Sequence, residues 1–389
     1  MKILVIHNYY QYPGGERTAI KAHIDLLKNR GQQVITYFAD NSKIKNYNLF
    51  EKAKSIPNAL YSIKTHNEIN KLVRTQKPDL AHVHNVFPLI SPSIYRVLKD
   101  NNIPIIQSVH NFRFLCPNGL FYTKGQICER CKYGNTIHAV RYKCYRNNYL
   151  LSTIYGLTIG LHRRKKSFQS IDRFITPTEF TAHKLVESKL TSWQKISILG
   201  NFLQDPLPIP GSFDQKELFL SYLGRLSPEK GVNILLEALV GIPGVGLKLM
   251  GDGPLFDQLK ETTRKLGIEN RVRFLGHTIG EPKWSIIRKS IAVVVPSVSY
   301  ESFGLVILES LATGTPVIAS DLGSLSHLVE DEKNGLLFRP GDSQDLQNKI
   351  LWVLNNPNNA QTMGSHGRHI VEESYSADAH YRDLMEIYR

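Results

Sequence analysis

Short apolar runs alternate along the chain with segments whose apolar positions recur every three or four residues. In the first half, Lys2–His7 predicts a buried strand, the loop Asn8–Gly15 follows, and a helix is expected from Glu16 to Asn29, where Gly31 ends it. Val34–Phe38 predicts a second strand and Lys64–Thr75 a helix. Pro78-Asp79 leads into a strand at Leu80–His84, Ile103–Val109 is another buried run, and Ile171–Thr176 closes the series before a helix over Thr178–Ser188. Strands that alternate with helices imply a parallel sheet with right-handed crossovers.

The alternation breaks over residues 203–216, where three prolines and a glycine suit neither a helix nor a central strand, so this stretch reads as a linker. It then restarts. Strands are expected at Leu218–Leu223, Gly246–Met250, Val272–Leu275, Ile291–Val295, Pro316–Ser320 and Gly335–Phe338. Helices are expected at Gly231–Leu239, Pro254–Lys265 and Phe303–Ala312, with a helical tail beyond Gln344. The fold class is therefore α/β, with two doubly wound parallel-sheet domains and a cleft between them. In such sheets ligands sit beyond the carboxyl ends of the strands.

Apolar stretches are all shorter than the roughly 18–20 residues a spanning helix needs. The opening Met-Lys-Ile-Leu-Val-Ile-His turns polar too soon for a signal peptide, which places the protein in the cytoplasm. Charge adds an asymmetry. Residues 1–200 hold 30 Lys and Arg against 11 Asp and Glu, while residues 201–389 hold 18 against 23. A basic first half points to an anionic partner, although a merely solvated basic surface gives the same count.

Four stretches at strand ends could carry chemistry. Glu301-Ser-Phe-Gly-Leu-Val-Ile-Leu-Glu309 enters a helix with a carboxylate at each end, and the amides of Phe303, Gly304 and Leu305 would point outward to an anion. Carboxylates accept bidentate bonds from vicinal hydroxyls, which suits sugar and ribose, but an ordinary capped helix fits the same spacing. Gly224-Arg225-Leu226-Ser227-Pro228-Glu229-Lys230-Gly231 puts a planar cation and a point cation beside a helix start, a pairing suited to pyrophosphate. Gly251-Asp252-Gly253-Pro254 allows a tight turn and close backbone approach. Tyr12-Pro13-Gly14-Gly15-Glu16 can cradle a phosphate but lacks the spacing of a dinucleotide site, which argues against a dehydrogenase.

In their order along the chain, from Gly14-Gly15 through Gly224–Gly231 and Gly251–Pro254 to Glu301–Glu309, the four motifs resemble glycosyltransferase family 4, a retaining family with the GT-B fold of two Rossmann-like domains facing across a cleft. The resemblance runs nearly the whole length of the chain. It implies an acceptor-side domain over residues 1–202, a linker over 203–216, a nucleotide-sugar domain over 217–370, and a C-terminal helix in 371–389 that crosses back to the first domain. It further implies that Arg225 and Lys230 hold the donor diphosphate and that Glu309 binds the ribose. Glu301 would bind the transferred sugar, with Phe303, Gly304 and Leu305 nearby. Gly14, Gly15 and Gly251 would approach the phosphates, and Leu275 would lie at the base. His110, after the run Ile103–Val109, matches the family's sugar-contacting histidine. Where relatives often carry Asp next, this chain has Asn111, and Ser324 and His327 depart from the usual Gly-Gly-x-x-Glu. The expected catalytic set is His110, Arg225, Lys230 and Glu301. The expected activity is a hexosyltransferase that uses a UDP- or GDP-sugar and a saccharide or lipid-pyrophosphate acceptor in surface-polysaccharide assembly. No cofactor is expected in catalysis.

Cys116, Cys128, Cys131 and Cys144 all fall in a Cys-rich insertion near residues 110–165, which resembles a subgroup of the family from bacterial surface-polysaccharide clusters. Their spacing suits one structural Cys₄ zinc site, and four metal-free thiols suit it too. Apolar residues from Leu150 to Leu161, flanked by Arg and Lys, suggest a helix lying on the anionic inner face of the cell membrane, or a buried helix with a basic end. Rival readings are a nucleotide-sugar epimerase or phosphorylase on the same fold and, more distantly, a nucleic-acid binder with a zinc knuckle. No nucleic-acid partner is expected, because the basic half has no repeated reader motif and the second half is acidic.

Overall fold

The computed structural model describes residues 1–10, 15–46 and 57–389, so Gly14 and the Tyr12-Pro13 pair before it lie outside the described residues. Two compact units emerge: Met1–Thr123 with Cys128–Asn201 and His380–Arg389, and Lys124–Ile127 with Phe202–Ala379.

The first unit carries β1 (Lys2–Tyr9), β2 (Gln33–Asp40), β3 (Leu80–Val83), β4 (Ile105–Ser108), the two-residue strands β5 (Tyr122–Thr123) and β6 (Gln126–Ile127), β7 (Arg173–Thr176) and β8 (Ile196–Ile198). Its six-stranded sheet runs in the order β2-β1-β3-β4-β7-β8, with every described pairing parallel. Its helices are α1 (Gly15–Asn29), α2 (Ile63–Gln76), α3 (Ile94–Asp100), α4 (Ile137–Arg141), α5 (Tyr149–Arg164) and α6 (Glu179–Glu187). Ser62 caps α2, Asn148 caps α5 and Thr178 caps α6, each accepting the free N–H three residues on. β1 and β3 have near-continuous apolar burial, as parallel strands covered on both faces require.

The second unit repeats the scheme with β9 (Glu217–Leu223), β10 (Gly246–Met250), β11 (Val272–Gly276), β12 (Ser290–Val295), β13 (Val317–Ser320) and β14 (Gly335–Phe338), in the order β11-β10-β9-β12-β13-β14, again parallel. Its helices are α7 (Val232–Val240), α8 (Phe256–Lys265), α9 (Gly280–Lys289), α10 (Leu305–Ala312), α11 (Leu325–Leu328), α12 (Ser343–Asn355) and α13 (Pro357–Ser374). Two apolar layers enclose the sheet, one around Leu235, Leu247 and Ile350, the other around Val293, Ile307 and Val317. The final helix, α14 (Ala377–Tyr388), ends in the first unit, where Leu384 and Tyr388 join the core of Ile3, Val5 and Ile20.

Both sheets reverse strand order once, between β1 and β3 and between β9 and β12. The crevice at such a switch point is where doubly wound sheets bind ligands. Several elements were not legible in the apolar pattern, among them β5, β6, α4 and α11, which have five residues or fewer. β8 is three residues long and half-exposed, too short to show a period. α3 has seven residues, and α9 opens with Gly280-Glu281-Pro282, a proline that is tolerated only because it stands in the first turn. α10 begins at Leu305 rather than Phe303, because Gly304 has φ 118° and breaks the helical path.

Candidate active site

In the second unit, the loops after β9, β10 and β12 are locked together backbone to backbone. The amide of Gly224 donates to Met250 O at 3.0 Å and that of Leu226 to Asp252 O at 3.0 Å. A Cβ on Gly251 would stand 1.8 Å from Gly224 O, and one on Gly253 would stand 2.3 Å from Leu226 O. These glycines therefore answer to close approach, and they bring Arg225 beside the Gly251–Gly253 turn. Gly231, in the left-handed region at φ 66°, has the carbonyl of Pro296 where a Cβ would be, 1.9 Å away. Val298 N–H donates to Glu229 O at 2.9 Å, which closes the same seam. The seam delivers Lys230, at the end of a short 3₁₀ turn, to Glu301: Nζ lies 2.9 Å from Oε1, with Ser297 Oγ also donating to that carboxylate. Burial pushes the Glu301 carboxyl up, but the Lys230 charge and the bonds from Ser297 and Lys230 outweigh it and hold the group below its ordinary value. Glu301 is thus an anion beside a cation just before the start of α10.

Glu309 lies in the second turn of α10 and pairs with Lys283 Nζ of α9 at 2.9 Å, the same ammonium standing 3.8 Å from the centroid of Trp284. The two glutamates therefore meet different lysines. One lysine engages only part of a carboxylate's four lone-pair directions, so Glu309 keeps accepting capacity for hydroxyls. Gly251 also forms a bridge with Gly276 at the end of β11, which puts Leu275, 40% exposed, at the same edge of the sheet. Ser324, fully buried, donates to Ser302 O at 3.1 Å, and Leu325 reaches 3.1 Å from the Cβ position of Gly304. The loop that departs from the family pattern thus buttresses residues 302–304.

In the first unit, His110 follows β4 and its Nε2 lies 2.8 Å from His84 Nδ1, the rings stacked at 5.1 Å. His84 stacks in turn on His82 at 4.4 Å, and His82 bonds Ser108 Oγ at 2.7 Å and the hydroxyl of Tyr388. Burial, followed by the charge of neighbouring histidines, lowers His7 and His82 to about 3 and takes His23 and His84 well below their ordinary value. Burial alone lowers His110 to about 4. These rings are neutral at pH 7. Ligand nitrogens of His23, His82 and His84 lie within 4.8 Å of one another, and His84 Nε2 is buried without a hydrogen-bond partner. A metal at His82 would have to displace Tyr388 or Ser108, so the cluster reads better as a packed histidine core. Beside it, Asn111 Nδ2 donates to Tyr10 Oη at 2.9 Å and reaches Glu16 Oε2 at 3.4 Å. Burial raises Glu16 to about 8, against the opposing Arg113 charge and the Asn111 bond, and its Oε1 has no hydrogen-bond partner. Gly15 opens α1, immediately before Glu16.

The family described as Glycosyltransferase Family 4 matches residues 13–204, and the family described as Glycosyl transferases group 1 matches residues 207–370. The chain belongs to glycosyltransferase family 4. An uncharacterized glycosyltransferase of Methanocaldococcus jannaschii is 26% identical over 374 residues, 95% of this chain and 92% of its own. A lipopolysaccharide core biosynthesis glycosyltransferase of Rhizobium meliloti is 32% identical over 157 residues, 40% of this chain and 45% of its own. The crystal structure of Anabaena HepE in complex with UDP and glucose superposes with a TM-score of 0.72 at 20% identity, covering 100% of this chain and 99% of that one. These likenesses bear out the GT-B fold of the transferase.

Within the second unit of this glycosyltransferase, Arg225, Lys230, Gly251, Leu275, Glu301, Phe303, Gly304, Leu305 and Glu309 all stand on loops or elements at the carboxyl ends of β9–β12. His110 and Gly15 stand at the equivalent ends of the first unit's strands. Of Phe303 only the backbone can face that edge, because its ring is buried in the apolar layer beside Tyr375. Sequence reasoning missed Ser297, Lys283, His84 and Arg113. Ser297 and His84 had a faint signal, at i−4 from Glu301 and in the alternating His82-Val83-His84, while Lys283 pairs across 26 residues with nothing local to mark it.

Proposed function

We propose that this family 4 enzyme is a retaining hexosyltransferase that takes a UDP- or GDP-sugar and passes the sugar to a saccharide or lipid-pyrophosphate acceptor in surface-polysaccharide assembly. The observation that carries this reading is the Lys230–Glu301 pair, held at the switch point of the second sheet by the Gly231–Pro296 seam. As the donor bond breaks, negative charge gathers on the departing diphosphate. Arg225, Lys230 and the amides at Phe303–Leu305 stabilise it, which does the work a divalent metal would otherwise do. Glu301 orients hydroxyls of the sugar as its anomeric carbon turns oxocarbenium-like, and Glu309 grips the ribose. No carboxylate is proposed as a nucleophile. The acceptor hydroxyl attacks the face the leaving group departs from, its proton passing to the leaving phosphate, and neutral His110 positions the sugar. The complexes of HepE with UDP and with UDP-glucose support testing uridine donors first.

The exposed apolar face of α5, with Leu150 and Leu157 each 58% exposed and Arg164-Lys165-Lys166 at its end, supports a peripheral place on the anionic inner face of the cell membrane. The test is a panel of UDP-, GDP- and ADP-sugars screened for protection against heat unfolding. The protecting donor is then incubated with acceptor without added divalent metal, and the product anomer is read by NMR. Retention of the donor's anomeric configuration is expected. Inversion, or dependence on added metal, would overturn the mechanism.

A further inference from the structure

The only four cysteines in the chain converge on one small cavity of about 10 Å³, room for roughly a single water-sized sphere, lined also by Thr123, His138 and Tyr142. The surrounding residues, 111–148, hold little regular structure: two two-residue strands and the five-residue α4. A loop-rich segment of this length has few apolar contacts of its own and commonly depends on a covalent or metal staple.

The turns around the sulfurs are built alike. Cys116 and Cys131 are each followed three residues later by a glycine, Gly119 at φ 78° and Gly134 at φ 96°, whose N–H returns to the cysteine carbonyl at 2.8 and 2.9 Å. At the cavity wall the Cys116 thiol donates to Asn118 Oδ1 at 3.0 Å and the Cys144 thiol to Thr123 Oγ1 at 3.6 Å. Four sulfurs lining one cavity of that size, in a segment with almost no regular structure, offer a single central cation its full set of ligands.

We infer that Cys116, Cys128, Cys131 and Cys144 bind one structural Zn²⁺. The ion displaces four protons to the solvent and leaves a tetrathiolate of charge 2−. Arg130, whose guanidinium stands 4.8 Å from the ring centroid of the cavity-lining Tyr142, offsets part of that charge. No three of the four sulfurs lie within 4.8 Å of one another among the described residues, whereas a zinc tetrahedron sets them about 3.8 Å apart. Binding therefore draws the turns inward. A soft, all-sulfur tetrahedral set selects zinc over harder divalent ions.

The node has a structural consequence. Arg113, buried between Tyr145 and Tyr155 at 5.4 and 5.1 Å, donates to Pro117 O at 2.9 Å, inside the Cys116–Gly119 turn. Asn111, two residues before Arg113, accepts its amide at 3.0 Å and contacts Glu16 and Tyr10. Zinc would thus fix the loop that leaves His110. Across the node, Lys132 bonds Glu129 at 2.7 Å and Glu187 at 2.6 Å, tying the Cys-x-x-Cys turn to α6.

The experiment uses the full chain, purified without chelator. Elemental analysis should give one zinc per chain. An organomercurial titration should release that zinc as four thiols are modified, and X-ray absorption should show four sulfurs at about 2.3 Å. Cobalt exchanged into the wild-type protein should show the thiolate charge-transfer bands of a tetrahedral S₄ site, a readout that needs no variant to fold. Cys128→Ser and Cys131→Ser should each lose the metal. A folded, zinc-free protein with four freely titrating thiols, a pair of disulfides, or iron in place of zinc would overturn the inference.

Discussion

At the residue scale, Lys230 has two duties that a single substitution separates. It neutralises a largely buried Glu301 at 2.9 Å, and on the proposed mechanism it stabilises the leaving diphosphate. Lys230→Ala should lower kcat by about 100- to 1,000-fold, the loss expected when one preorganised donor to developing charge is removed. Steady-state kinetics on folded protein measures this, and a variant with unchanged kcat would show that the lysine serves only its glutamate. Glu309→Ala should leave the fold intact and weaken nucleotide binding about 10- to 100-fold, as expected for charged hydrogen bonds worth about 1.5–3 kcal/mol. Calorimetric titration with UDP reads it directly. Arg225, Lys230, Glu301 and Glu309 were legible because each sits in a short motif between a strand and a helix. Lys283 and Arg113 were not, because their partners are far along the chain and only the packed fold makes them neighbours.

At the element scale, β1, β3, α1, the end of β4 and α14 together bury a set of histidines whose cost is set by pH. His7, His82, His110 and His380 fall to about 3 or 4, chiefly through burial, and His23 and His84 fall well below their ordinary value. The unfolded chain binds protons at these rings below about pH 6.5 and the folded chain does not, so stability is complete above 6.5 and drains as pH falls. At pH 5.5 each ring costs on the order of 1.4 kcal/mol. Glu16 acts in the opposite sense. Its carboxyl, raised to about 8, contributes stability below its unfolded value of 4.5 that is lost as pH rises through 8. Thermal unfolding should therefore be steeply acid-sensitive below pH 6.5, with a shallower decline on the alkaline side that Glu16→Gln abolishes. A flat Tm from pH 5 to 7 would contradict the buried cluster. The elements themselves were largely visible as apolar runs, whereas their histidines, polar by composition, looked like strand ends until the sheet stacked them.

At the scale of the whole molecule, both doubly wound halves could be read from the repeat of apolar runs on either side of the proline-rich break. The strand order could not, since alternation dictates a parallel sheet but not which strands adjoin. Charge and surface polarity add what the core pattern omits. The basic first half carries, on α5, an exposed row of Leu150, Leu157 and Leu161 one face away from the buried Tyr155 and Ile159. The neighbouring Arg164, Lys165 and Lys166 are exposed. A leucine moved fully from water into lipid gains about 1.5–3 kcal/mol, and each basic side chain near an anionic surface adds about 1 kcal/mol. Together these exceed what ordering an already formed helix would cost. The full chain should therefore sediment with vesicles rich in anionic phospholipid, bind less to purely zwitterionic ones, and be released as salt rises. Leu157→Asp with Leu161→Asp should abolish binding while leaving UDP affinity unchanged, because neither residue touches the donor loops. Equal partition of wild type and variant would mean that the apolar row is covered by something other than lipid.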